Sequence, residues 1–380
     1  MSLTFSRTDS SVFGRWWWTV DHLTLAALAA LIGFGAFLVA ASSPPVAERI
    51  GLGTFHFVQR HLVMLAPAVL VMIAVSLLSP RGVRRVALAV LAVSIVLTAA
   101  TLLIGAEIKG ARRWIHLAGV SIQPSEFLKP AFAVVAAWLF AKQHAPRYPG
   151  SGHMPGNLIS IGLFLLIAVL LMKQPDLGMT LVITAVWFCQ FFLAGLPLIL
   201  VGALGAIGVT GVVGAYFLFP HVSSRIDRFL DPSSGDNYQV ERSLQAFTNG
   251  GFAGTGPGQG TVKFHLPDAH ADFIFAVAGE ELGLLWSLLL VGLFAFVVLR
   301  GFSRLMHEAD LFVLLAAGGL LVQFGLQALI HMGSSVHLLP TKGMTLPFVS
   351  YGGSSLIALG FGMGMVLALT RKRFSAGEAR

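Results

Sequence analysis

Apolar runs close to membrane-crossing length, sparse in charge, recur from one end of this 380-residue chain to the other. A hydrocarbon core of roughly 30 Å takes about 20 apolar residues per helix. Runs of that order fall at 23–41, 61–79, 84–104, 127–141, 157–172, 177–194, 198–219, 273–299, 310–332 and 346–370. Barrel strands would alternate over roughly ten residues, whereas these runs are continuous. The sequence therefore predicts an all-α polytopic membrane protein of about ten transmembrane helices, with both chain ends on one side. Only 11% of residues are charged, against roughly 25% in soluble domains. That shortage excludes an aqueous globular enzyme, a disordered chain and a coiled coil. One cysteine, Cys189, excludes an internal disulfide and a thiolate metal cluster.

The first run is longer than the roughly 7–15 residues of a signal-peptide core. A polar leader ending in Trp16, Trp17 and Trp18 precedes it, which reads as an interfacial anchor on a retained helix. Orientation follows from tight basic clusters in short loops: Arg81, Arg84 and Arg85; Arg300 and Arg304; Arg371, Lys372 and Arg373. All share the side of the termini, which the positive-inside rule makes cytoplasmic. The net charge of +8 is thus read as membrane orientation, and nucleic acid is not an expected partner. The expected organisation is a cytoplasmic tail at 1–22, one ten-helix domain at 23–370 and a cytoplasmic tail at 371–380. The longest extracytoplasmic loop, 220–272, joins helices seven and eight. Glycines at 202, 205, 208, 211 and 214 wind around helix seven, and close helix packing is the expected reason.

Most familiar motifs fail on spacing. GTGPGQG at 254–260 lacks the lysine and spacing of a phosphate-binding loop and reads as a flexible loop near a site. His265 and His270 do not make a zincin pattern, and YGGSS at 351–355 is not a nucleophile elbow. Polar groups instead gather in four segments at helix mouths on the outer side: ARRW with QPSEFLK (111–114 and 123–129), KQPDLG (173–178), LPDAHADFIFAVAGEELG (266–283) and LPTKGMTLPFVSYGGSS (339–355). Pro124, Ser125 and Glu126 mark a helix start, and Glu126 and Lys129, three apart, share a face. Helix eight, read as continuous over 273–299, would rise about 40 Å, so its first turns should project beyond the hydrocarbon. That places Asp272 at headgroup height; Glu280 and Glu281 read as mainly structural.

These four segments, in this order and spanning nearly the whole chain, resemble the SEDS family of shape, elongation, division and sporulation proteins. Thr341–Gly343 in LPTKGMTLP and the LPDAHADF stretch are closer to the family's division member than to its elongation member. Two positions depart from the pattern: Ala271 where the family usually has Thr, and a looser ERSLQAFTNGGFAGTGPGQG stretch. The resemblance implies a ten-helix peptidoglycan glycosyltransferase that polymerises lipid II outside the cytoplasmic membrane. It implies a class B penicillin-binding protein transpeptidase as partner, together with division regulators. The family's essential acid maps to Asp272, and its polar helix-mouth groups to Arg113, Glu126, Lys129 and Asp176.

The chemistry then assigns roles. One displacement inverts the α-linked pyrophosphate of lipid II into a β-1,4 bond. It needs a base for the acceptor hydroxyl, which is Asp272. It also needs cations for the departing pyrophosphate, which are Arg113 and Lys129, with Lys342 a further candidate. Glu126 and Asp176, with Lys173 beside the latter, are expected to orient Lys129 and its neighbours. A divalent cation, Mg or Mn, would fit this chemistry, although no motif demonstrates one. The rival readings are a lipid II flippase, an elongation-type polymerase, a non-catalytic division scaffold and an O-antigen-ligase-like enzyme.

Overall fold

A computed structural model describes residues 11–108, 110–117, 120–144, 154–195, 197–218, 220–231, 237–340 and 343–372. A short helix α1 (Val12–Thr19) precedes α2 (His22–Ser42), α3 (Pro44–Arg49), α4 (His56–Ser76) and α5 (Pro80–Ile104). Three strands follow, β1 (Ala106–Ile108), β2 (Ala111–Leu117) and β3 (Val120–Ile122). Next come α6 (Pro124–Gln143), α7 (Gly156–Lys173), α8 (Leu177–Leu193), α9 (Leu198–Leu218), α10 (Pro220–Leu230) and α11 (Tyr238–Gly250). The chain ends with α12 (Ile274–Leu305), α13 (Leu311–Ser335) and α14 (Gly353–Leu369).

Each of the ten apolar runs overlaps one of these helices, although the last begins seven residues before α14. Among the described residues seven helices are long and apolar enough to cross a membrane, and α8 and α14 are apolar but shorter. Helix α6 carries Glu126 and Lys129 and is instead enclosed, buried along most of its length. Helices α6, α13 and α14 form the centre, with α5 packed on α6, α4 on α14, and α2 and α13 on α12. Local signals set the helix starts. Pro124 opens α6 with Glu126 in its first turn, where an acid suits the helix dipole. Asp176 caps α8 by accepting from the Met179 amide at 3.1 Å, and Asp310 caps α13 through the Phe312 amide at 3.0 Å.

Four expectations change. The all-helical reading acquires a small antiparallel sheet in the order β1-β2-β3, with Glu107 opposite Arg112 and Ile115 opposite Ile122. The leader is not simply a tail, because α1 forms and Trp16 donates to Ser76 Oγ at 2.8 Å. Among the described residues the α9 glycines meet no neighbour: a Cβ at 202, 205, 208, 211 or 214 would find no atom within 4 Å. Close helix contact occurs in α14 instead, where Gly360 and Gly364 sit against the backbone of Ala68 and Met72. An i, i+4 glycine pair puts both gaps on one side of a helix, so two backbones can approach.

The fourth change concerns α12, which is not one continuous shaft. Gly283 sits at φ 80°, ψ −173° and breaks it, a conformation that favours glycine. Residues Ile274–Glu281 before the break are buried, while Leu284, Leu285 and Trp286 directly after it are exposed. The stretch from 284 to 305 rises about 33 Å, close to the roughly 30 Å of a hydrocarbon core. The head of α12 is thus a separate element enclosed by protein. Its freed carbonyls are taken by the 251–260 loop: Thr255 N–H donates to Glu280 O at 2.9 Å and Gly256 N–H to Glu281 O at 3.0 Å. Leu284 N–H in turn donates to Gly251 O at 3.0 Å. The glycine-rich loop is therefore a fastened collar, not a flexible one. Gly254, at φ 84°, lets its backbone reach Glu281 O, where a Cβ would come within 2.3 Å.

Candidate functional site

Asp272 ends a tight turn that starts at Asp268, whose carbonyl accepts from the Ala271 and Asp272 amides at 2.9 Å each. This turn is fastened to the segment before α14. Ser350 Oγ donates to Ala271 O at 2.6 Å, and Tyr351 N–H donates to His270 O at 2.9 Å. The His270 ring is buried between Phe57 and Tyr351, with ring centroids 4.4 and 5.1 Å away. Burial pushes the imidazole down to about 4, against a smaller upward pull from the Asp268 charge. It is therefore a neutral packing group at neutral pH. The Asp272 side chain itself is half-buried and faces Gly343, where a Cβ would lie 2.8 Å from Oδ2. Glycine at 343 thus leaves room for the carboxylate.

The same 343–352 segment leads to the cation. Gln327 on α13 donates to Thr345 O at 3.0 Å, and its Oε1 accepts from Lys129 Nζ at 3.2 Å. Lys129 is buried and pairs with Glu126 at 2.8 Å across one helical turn, as the i, i+3 spacing predicts. His331 Nδ1 lies 2.6 Å from Met344 O and fixes the same segment. A chain of polar contacts thus runs from Glu126 through Lys129 and Gln327 to Thr345, two residues from the Gly343 that Asp272 faces.

A second group gathers around Arg113 on β2. Its Nε donates to Gln174 O at 3.0 Å and its Nη2 to Pro175 O at 2.5 Å. Nη1 lies 3.5 Å from Asp176 Oδ2. Asp176 therefore pairs with Arg113, while it also caps α8. Gln174 donates to Thr101 Oγ1 on α5, so the α7–α8 turn is fixed from two sides. Lys173 is exposed in the last turn of α7. Lys342, with Thr341, lies outside the described residues.

Glu280 and Glu281 behave as the structural pair expected. Glu280 is fully buried and accepts from the Thr261, Val262 and Lys263 amides at 2.7, 2.8 and 3.1 Å, and from Asn249 Nδ2 at 2.8 Å. Glu281 pairs with Lys263 Nζ and accepts from the Gly258 amide at 2.9 Å. A cavity of about 580 Å³ beside the Gly283 break is lined by Phe34, Phe37, Leu282 and Trp286, with Glu281 at its rim; none of the candidate catalytic residues lines it. Among the described residues no three His, Cys, Asp or Glu side chains come together in a way that could hold a metal ion. Gln327, Ser350 and Lys263 escaped the sequence reading. Each lies in an ordinary-looking context, and only a partner 18 or more residues away reveals its role.

Comparison with known proteins adds to this geometry. A family profile for FtsW, RodA and SpoVE, described as cell cycle protein, matches residues 21–374. A relative from Caulobacter vibrioides, named probable peptidoglycan glycosyltransferase FtsW, is 45% identical over 370 residues, covering 97% of this chain and 94% of its own. A protein of the same name from Trichlorobacter lovleyi is 35% identical, covering 92% and 93%. Among solved structures, a chain from work on coordinated polymerization and crosslinking by a peptidoglycan synthase complex superposes with a TM-score of 0.75. It is 27% identical and covers 92% of this chain and 97% of its own. The rod shape determining protein RodA of Thermus thermophilus gives a TM-score of 0.66 at 26% identity, covering 93% and 97%.

Proposed function

The chain belongs to the FtsW/RodA/SpoVE family of cell cycle proteins, and from that premise we propose that it is a peptidoglycan glycosyltransferase acting at the outer face of the cytoplasmic membrane. It polymerises lipid II into β-1,4 glycan, in the service of septal synthesis. The division role is supported by the relatives named FtsW. Both chain ends are cytoplasmic in this reading, in keeping with the basic clusters beside them. The partner is a class B penicillin-binding protein that cross-links the new strands, joined by division regulators. A structural relative from work on polymerization and crosslinking by one complex supports that pairing.

One observation carries the mechanism: the Asp272 carboxylate lies against Gly343, on the same short segment that Gln327 ties to the Lys129 ammonium. Asp272 takes the proton of the acceptor 4-hydroxyl as that oxygen attacks the anomeric carbon. The bond to the lipid pyrophosphate breaks on the opposite face, and the anomeric centre inverts. Lys129 receives the charge that develops on the leaving phosphate. Glu126 and Gln327 hold two of its three N–H donors in place. Arg113 and Lys342 are further phosphate cations in the proposal. Arg113 is held in place by two carbonyls and the Asp176 carboxylate. The divalent cation considered from the sequence finds no ligand set among the described residues, and no step is routed through one.

Flipping lipid II would call for a polar path through the bundle. Among the described residues the buried Asp, Glu, Lys and Arg are Asp21, Lys129, Asp176, Lys263, Glu280 and Glu281. They sit at helix ends, near helix starts or in loops, which favours surface chemistry. The deciding experiment supplies labelled lipid II to the purified protein with its transpeptidase. Asp272→Asn should yield no polymer while the protein stays folded and partner-bound. Normal glycan synthesis by that variant would remove Asp272 from the mechanism. Flipping without polymer in vesicles of the native protein would replace the enzyme reading.

A further inference from the structure

At the end of the bundle away from Asp272, α1 lies across the ends of α4 and α14 and leaves a cavity of about 270 Å³. Its lining includes Val12, Arg15, Thr19, Ser79, Arg371 and Lys372. Three cations from two remote parts of the chain converge there, and among the described residues no carboxylate lines the cavity. Asp21, the acid just after α1, is already taken by Arg300 at 3.0 Å and Arg304 at 3.1 Å. The 25-residue helix α5 begins at the cavity wall with Ser79 and Pro80, so its positive dipole end adds to the field. The cavity is built rather than incidental. Lys372 N–H donates to Thr19 O at 3.0 Å, Thr19 Oγ1 donates to Arg15 O at 2.8 Å, and Arg371 Nη2 reaches Leu78 O at 3.5 Å.

The surroundings select the kind of anion. Helix α1 buries Gly14 and Trp16 against the bundle, yet its outer side exposes Val12, Phe13, Trp17 and Trp18. Large apolar and tryptophan side chains beside a basic cavity at a helix end belong at the boundary between headgroups and acyl chains. The geometry points to a site for the phosphodiester headgroup of an anionic membrane phospholipid, held by Arg15, Arg371 and Lys372 with its acyl chains against the outer side of α1. A basic pocket between helices at one membrane face is a recognised way to hold such a headgroup. The site lies apart from the glycosyltransferase chemistry and does not depend on that reading.

The test uses the full chain in a zwitterionic detergent, titrated with phosphatidylglycerol, with bound lipid counted by native mass spectrometry. Each surface Lys or Arg near an anionic lipid contributes enough that Arg15→Gln with Lys372→Gln should weaken retention about thirtyfold. Lys372→Gln alone should weaken it about fivefold. That single change leaves the Lys372 backbone bond to Thr19 in place, so it keeps the test sound if the double variant folds poorly. Arg85→Gln, a basic residue in the first turns of α5 that is not among the lining residues, should change little. Equal losses from Arg85→Gln would reduce the site to diffuse surface charge and overturn it. Equal retention of phosphatidylcholine, or displacement of the lipid by millimolar inorganic phosphate, would overturn it as well. So would unchanged retention in the Lys372 variant.

Discussion

Asp272 and the Glu280–Glu281 pair stand eight residues apart, on either side of the start of one helix, and their surroundings are opposite. Both glutamates are almost without solvent contact, and each oxygen of Glu280 is met by backbone or amide N–H groups. Asp272 is half-buried at the mouth, opposite a glycine that leaves space at its oxygens. A carboxylate enclosed by fixed backbone donors holds those donors in place and has no face left for a substrate. One that is only half-buried, with a cation reachable through a short polar chain, lies where a substrate can meet it. The difference is between an acid enclosed to hold a loop and an acid at a partly exposed turn.

Exchanging the roles breaks the comparison most visibly. Glu280→Ala leaves three buried amides and Asn249 without an acceptor, at about 1–3 kcal/mol for each unmet group. The expected result is loss of folded protein, read by yield and thermal melting, and a well-folded variant would undo the structural assignment. Asp272→Asn should leave the melting temperature nearly unchanged and lower polymerisation about 10²–10⁴-fold, read as glycan formed from labelled lipid II. Gly283→Ala forces a side chain to φ 80° and against the Gly254 amide. It should cost about 1–3 kcal/mol from strain alone, with the collar more open to protease.

A pH effect should follow from His270 in the turn that carries Asp272. Its imidazole sits at about 4 when folded and near 6.5 when free. Its contribution to stability is therefore complete above about pH 6.5 and is lost as pH falls toward 4. His270→Phe should narrow the gap between melting temperatures at pH 7 and pH 5, and an unchanged gap would contradict the buried neutral ring. Gly208→Leu on α9 is the smallest case. With nothing within 4 Å of a Cβ at this position among the described residues, stability should stay within about 0.5 kcal/mol.

Much of this was legible because it is local. Membrane-length runs, the proline opening α6 and the Glu126–Lys129 pair all depend on residues close in sequence. The rest depends on distant partners. Arg113 finds Asp176 more than sixty residues away, and Lys129 finds Gln327 across 198 positions. The sheet went unseen because its strands are short and lie between apolar helices that dominate the hydropathy. Glycines were the hardest to interpret. Five in α9 meet nothing among the described residues, while Gly360 and Gly364 in α14 touch a neighbouring backbone. The Gly283 break is written in a single residue within a run otherwise fit for an uninterrupted helix.

That break has a mechanical consequence. With the amide ladder cut at 283 and the collar clasping the head of α12, a tilt of the lower shaft is not transmitted as a rigid rod. Fluctuations in bilayer thickness are absorbed below the clasp, and the aspartate holds its alignment while the lipid around it breathes.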